Sequence, residues 1–121
     1  MVENGWGRIV NVSSLAAQRG STGGHSHYAA AKAGMVGLSK SLARELGPHG
    51  VTVNVVAPGW IETAGWGGEL DGRRDEFAAC VPLRRLGQPE DVAHVVGFLA
   101  SDKASYLTGV TIPINGGLFI S

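Results

Sequence analysis

Val51-Thr52-Val53-Asn54-Val55-Val56-Ala57, stopped at once by Pro58-Gly59, reads as a valine-rich strand with its terminator. Working outward, two similar runs flank it. Arg8 to Ser13 (R-I-V-N-V-S) is short, β-branched and bounded by Gly7 and a polar loop. Val110 to Asn115 (V-T-I-P-I-N) is closed by Gly116-Gly117. Pro113 cannot donate to a ladder, so the last strand is expected at a sheet edge. Helical patterns lie between the strands. From Tyr28 to Leu46, the residues Ala31, Met35, Leu38, Leu42 and Leu46 fall on one helical face, and Gly47-Pro48 ends the run. Pro89 opens a second helix with Glu90 and Asp91 in its first turn and an apolar stripe of Val92, Val95, Val96 and Leu99. A short helix is expected around Arg74 to Cys80. Strands alternating with helices predict an α/β fold: a parallel sheet of about three strands with right-handed crossovers. Such sheets place ligands beyond the carboxyl ends of their strands. Here those ends are Ser13-Ser14, Pro58 to Thr63 and Gly116-Gly117.

Composition narrows the function. The 121 residues suit a single domain, and 44% apolar content supplies a core rather than a disordered tail. Nineteen glycines are well above the usual share of about 7%, but they follow no triplet repeat. Ten basic and ten acidic residues balance, which argues against a nucleic-acid partner. No apolar run approaches the ~18 residues of a membrane span. Met1 to Gly5 carries no secretory signature. Cys80 is the single cysteine, so no internal disulfide is possible and the cytoplasm is the expected compartment.

One pair carries chemistry. Tyr28 and Lys32 are four residues apart at the start of a helix, which stacks them on one face. A phenol is a poor acid–base group at neutral pH, and a neighbouring lysine cation favours its phenolate. The pair then suits a proton donor and acceptor. The plain alternative is a buried tyrosine beside a surface lysine, because Y-x-x-x-K alone is common.

The surroundings decide between them. G-R-I-V-N-V-S-S ends at Ser14, and V-T-V-N-V-V-A-P-G-W-I-E-T follows the Tyr28 helix. R-L-G-Q-P-E-D-V-A (Arg85 to Ala93), F-L-A-S-D (Phe98 to Asp102) and I-N-G-G (Ile114 to Gly117) come later. From Gly5 to Gly117 this string resembles the C-terminal half of the short-chain dehydrogenase/reductase family, closest to its 3-oxoacyl-carrier-protein reductase branch. The resemblance implies a partial Rossmann-like, three-layer fold and an NAD(P)-dependent oxidoreductase that interconverts ketones and secondary alcohols. It implies that Tyr28 is the general acid or base, that Lys32 favours its phenolate and binds the nicotinamide ribose, and that Ser14 holds the substrate oxygen, with Ser13 the neighbouring alternative. Pro58, Gly59, Ile61 and Thr63 match the family segment that lines the nicotinamide, with the Ile61 backbone at the carboxamide and Thr63 near the pyrophosphate. The spacing from Ser14 to Tyr28 is about one residue longer than the common family spacing, as a loop insertion would make it.

The family's first half has no counterpart in these residues. There is no G-x-x-x-G-x-G turn for the adenosine pyrophosphate, no ribose selector and no N-N-A-G strand, and Met1 to Gly5 looks like the tail of the helix that carries the family's catalytic Asn. Gly20 to Gly24 lacks the phosphate-binding spacing and reads as an ordinary loop. Gly65, Gly67 and Gly68 read as part of a substrate lid. His25 and His27 lack a third metal ligand and read as loop residues, and His94 as a packing or surface residue. Trp60 and Trp66 line a substrate pocket or cover the sheet end. Cys80 reads as a small buried residue. The expected state is therefore one domain over residues 1–121, the truncated catalytic half, with NAD or NADP as cofactor and a small carbonyl or alcohol as substrate. An unpaired first strand and an uncovered Tyr28–Leu46 helix predict a homo-oligomer or a complementing chain. A non-catalytic remnant or association module is the rival reading, and a fragment of a longer enzyme is the third.

Overall fold

In the computed structural model, which describes residues 1–66 and 68–121, the elements run β1 (Gly7–Val12), α1 (Ala16–Arg19), α2 (Ser26–Leu46), β2 (Val51–Pro58), α3 (Arg74–Cys80), α4 (Pro89–Leu99) and β3 (Thr111–Ile114). The strands form one parallel sheet in the order β1-β2-β3. The valine-rich run is its central strand. Seven consecutive residues, Val51 to Ala57, are buried, as a parallel strand covered on both faces requires. Of the two polar members of that run, the Thr52 hydroxyl is buried without a hydrogen-bond partner among the described residues, whereas Asn54 is satisfied. Asn54 is fully buried, and its side-chain amide donates to the Leu107 carbonyl while its oxygen accepts from the Val110 N–H. It thereby ties the loop that enters β3 to the sheet.

Successive strand residues point to opposite faces. On one face of β1, Val10 joins the cluster built on Val56, Leu99 and Ala104, to which α4 contributes Val92, Val95 and Val96. On the other face, Asn11 donates to Ser39 Oγ on α2 at 2.8 Å. Helices thus cover both sides of the sheet, giving the three layers implied by the family resemblance.

Pro113 lies in β3, at the edge, as expected. Val110 and Ile114 turn their carbonyls toward β2, so the alternate residue Pro113 faces outward, where its missing N–H breaks no ladder bond. The α4 start is also as read: Gln88 caps it, Asp91 accepts from the Gln88 N–H, and Pro89 occupies the first turn. The predicted stripe on α2 is partly corrected. Leu38 is 57% exposed and Ala31 is exposed, whereas Ser39 and Ala43 are buried. Small side chains let the helix lie close to the sheet, and that proximity outweighs hydrophobicity in choosing the buried face. Cys80 is exposed, not buried, because it ends α3 on the surface.

Candidate functional site

The carboxyl ends of β1 and β2 open into one cleft of about 620 Å³. It is bordered by Ser13 and Ser14 from the end of β1, Tyr28 and Lys32 from the first turns of α2, and Pro58, Gly59, Ile61 and Thr63 from the end of β2. The candidate catalytic and nicotinamide-lining residues therefore share one cavity, whereas Gly116, at the third strand end, lines a separate pocket with Val81 and Asn115. The reason is topological: in a parallel sheet the two strand ends are adjacent, and the crossover helix begins beside them.

Each side chain is positioned by a specific contact. Lys32 Nζ donates to the Val12 carbonyl at 3.0 Å and stands 5.8 Å from the centre of the Tyr28 ring. Ser13 Oγ donates to the Lys32 carbonyl at 2.8 Å and is almost fully buried. Ser14 Oγ accepts from the Ala16 N–H at 3.1 Å. The two serines thus differ in what their protons can do. The Ser13 proton is committed to the helix, whereas the Ser14 oxygen is fixed as an acceptor and its proton is left to donate into the cleft. Tyr28 is 42% exposed toward that space.

The wall opposite is held by its backbone. The Gly87 N–H donates to the Trp60 carbonyl and the Glu62 N–H to the Gly87 carbonyl, at 2.9 and 2.8 Å. Gly59 passes so close to Asn115 that an added Cβ would lie 2.7 Å from the Asn115 Cβ. Glu62 pairs with Arg74 and accepts from Gln88, which joins the wall to α3 and to the α4 cap. Arg85 chelates Asp91 in two hydrogen bonds of 2.7 and 3.0 Å. That guanidinium, together with the Gln88 N–H, holds the Asp91 carboxyl well below the usual carboxylate range.

A family model described as enoyl-(acyl carrier protein) reductase matches residues 1–119. The chain is 48% identical over 121 residues to a 3-oxoacyl-[acyl-carrier-protein] reductase, FabG, of Pseudomonas aeruginosa. The chain belongs to the short-chain dehydrogenase/reductase family. It is also 46% identical over 120 residues to an acetoacetyl-CoA reductase of Allochromatium vinosum. These alignments cover 100% and 99% of this chain but 49% and 48% of the relatives, so the chain spans about half their length. A crystal structure of a short-chain dehydrogenase/reductase (glucose/ribitol dehydrogenase) from Brucella melitensis superposes with a TM-score of 0.88 at 45% identity, covering 94% of this chain and 46% of that one.

Within this short-chain dehydrogenase/reductase fold, sequence reasoning left parts of the site unseen. The one-turn α1 begins two residues after Ser14 and its first N–H binds the Ser14 hydroxyl, yet four residues carry no periodic signal. A second hollow of about 830 Å³ adjoins the cleft and shares Ser14, Gly59, Trp60, Trp66 and Glu69 with it. The Gly20 to Gly23 loop borders this hollow, so it lies beside the cleft. Trp60 and Trp66 line both spaces. Of the glycines read as a lid, Gly65 borders the cleft, Gly68 lies in a turn, and Gly67 lies outside the described residues. The His25 and His27 rings are 6.4 Å apart, and His94 is on the surface of α4. No group of three metal-ligating side chains occurs among the described residues.

Proposed function

We propose that residues 1–121 form the reaction half of an NAD(P)-dependent oxidoreductase that interconverts a ketone and a secondary alcohol. The observation that carries this reading is that Ser14, Tyr28, Lys32 and the Pro58-to-Thr63 wall face a single cleft. Ser14 donates its free proton to the substrate oxygen. Tyr28 gives a proton to that oxygen in reduction and takes it back in oxidation, and the Lys32 cation favours the phenolate.

The chain's fit to a dinucleotide is one-sided. Pro58, Gly59, Ile61 and Thr63, with Lys32 for the ribose, suit the nicotinamide end, and the close packing of Gly59 on Asn115 keeps that wall flat. The matched residues are about half the length of the relatives, and the adenosine end is not assigned to any of them. When bound, the nicotinamide supplies or accepts the hydride, which no side chain here can do. The substrate would be a small carbonyl compound or alcohol. The names of the relatives make 3-oxoacyl thioesters the first compounds to assay. The cytoplasm suits a chain with one cysteine, and no described helix is long and apolar enough to cross a membrane.

A second reading has its own support. β1 pairs with β2 on one side and with no other strand among the described residues, while Val12 and Leu38 are exposed. An unpaired edge of this kind recruits another chain. The protein then works as a homo-oligomer, with a complementing chain, or as a non-catalytic association module. Calorimetric titration with NADH and NADPH, followed by a ketone-reduction assay, separates the readings. Binding with turnover that disappears in Tyr28→Phe supports the enzyme. No binding of either cofactor at millimolar concentration refutes stand-alone dehydrogenase activity. Light scattering at micromolar concentration tests association, and a monomer there overturns it.

A further inference from the structure

Three aromatic rings stand where the cleft passes into the adjoining hollow. Trp60, Trp66 and Phe77 pack edge-to-face, with centroids 5.2 Å apart in the Trp60–Phe77 and Trp66–Phe77 pairs and 6.4 Å apart for the two tryptophans. Trp66 is anchored, because its indole N–H donates to the Ile61 carbonyl. All three rings are only partly buried, so ring surface remains open to the hollow. Arg19 from α1 lies across the Trp60 ring at 5.8 Å and forms no salt bridge among the described residues. The same hollow reaches Ser14, which also borders the cleft of Tyr28 and Lys32.

We propose that this wall selects a carbonyl substrate bearing a planar aromatic ring: the oxygen lies at Ser14 and Tyr28, and the ring packs on Trp60 and Phe77. The inference rests on the carbonyl-reductase reading above and names its substrate class. Ring-on-ring packing supplies attraction beyond simple area burial when centroids lie within ~4.5–7 Å, and a flexible alkyl chain gains none of it. The alkyl chain also loses more rotamer freedom on binding than a rigid arene. Arg19 lies 5.8 Å from the centre of the Trp60 ring and Arg73 4.9 Å from that of Phe77, so the arene meets the ring surface that these cations leave open.

Acetophenone and 2-octanone test this, because they have equal numbers of carbons and the aliphatic ketone buries more apolar surface. Area burial alone therefore favours 2-octanone, and ring recognition favours acetophenone. The readout is the indole N–H resonances of the intact chain by NMR, which needs neither cofactor nor turnover. Trp6 is the internal control. It precedes β1 at the opposite end of the sheet, about 25 Å away by strand rise, with its indole bound to Asp102.

Acetophenone should shift the Trp60 and Trp66 resonances, leave Trp6 in place, and bind about threefold to tenfold more tightly than 2-octanone. Trp60→Leu and Phe77→Leu keep apolar bulk without a ring and should abolish the preference. Equal or weaker binding of acetophenone, or shifts that include Trp6 to the same extent, overturns the proposal. Tyr28→Phe should retain the preference. Loss of reduction without loss of ring binding would leave this inference standing, and ring binding in a protein that never reduces a ketone would sink the enzyme reading alone.

Discussion

The Lys32 ammonium donates to the carbonyl oxygen of Val12, the last residue of β1, at 3.0 Å. The adjacent Ser13 hydroxyl returns the connection by donating to the carbonyl of Lys32. Two reciprocal bonds thus fix the first turns of α2 against the end of β1. This stitching separates the two serines experimentally. Ser13→Ala should cost about 1 kcal/mol of stability, the net worth of one hydrogen bond, with cleft chemistry largely kept. Ser14→Ala should cost a similar amount, for the Ala16 N–H it releases, and in addition lower kcat for ketone reduction by about 10²-fold, as loss of a donor to the reacting oxygen does. Urea unfolding and steady-state kinetics on both variants check this, and the reverse pattern would exchange the assignments.

Tyr28 is exposed on the cleft side of α2, so removing its hydroxyl disturbs little packing. Tyr28→Phe should melt within a degree or so of the parent, because surface changes of this kind fall within about ±0.5 kcal/mol. Reduction should fall by about 10²–10⁴-fold, the usual contribution of a positioned acid. Equal activity in the two proteins would remove Tyr28 from the reaction.

Gly59 tests the wall. A methyl group there meets the Asn115 Cβ at 2.7 Å and its Cα at 3.0 Å, and neither atom can swing away. Gly59→Ala should therefore destabilise by about 1–3 kcal/mol through overpacking. It should also weaken nicotinamide-nucleotide binding, read by calorimetry, by displacing Pro58 to Ile61. A variant that is fully stable and binds normally would show that this close approach is unimportant.

The Arg85–Asp91 pair gives a pH signature. Asp91 stays ionised in the folded protein to a pH below its unfolded value of about 3.9. Its contribution is therefore complete above that value and is lost progressively as the pH falls toward the lower folded pKa. Solvent around the half-exposed guanidinium limits the size of the effect. In thermal melts, Asp91→Asn should lie below the parent at neutral pH, and the gap should close as the pH drops from about 4 toward 2. A gap that widens in acid would contradict the assignment.

Much of this was legible in the sequence because the elements are punctuated by residues with strict backbone demands. Pro58-Gly59, Gly47-Pro48, Pro89 and Gly116-Gly117 mark ends that the structure reproduces within a residue or two. The grouping of the candidate residues was legible for a related reason: adjacent parallel strands deliver Ser14 and Pro58 to one place, and Tyr28 lies in the first turn of the helix between them. The rest depends on distance in space. Hydrophobicity points to Leu38 as a core residue, but close approach of α2 to the sheet selects Ser39 and Ala43. The contact of Phe77 with Trp60 joins residues on either side of a glycine-rich loop, and no periodic pattern reports it. Asn54 looks out of place in a valine strand until its two backbone partners, Leu107 and Val110, are seen.

The outward-facing Pro113 gives the sheet one passivated margin and leaves one receptive. A particle that can join its like through a single margin terminates at two copies, whereas a filament requires every unit to be receptive on both sides. If the chain associates through β1 as proposed, that association is self-limiting, and Pro113→Val, which restores a donor to the second margin, would be the substitution to open the way from pairs to fibres.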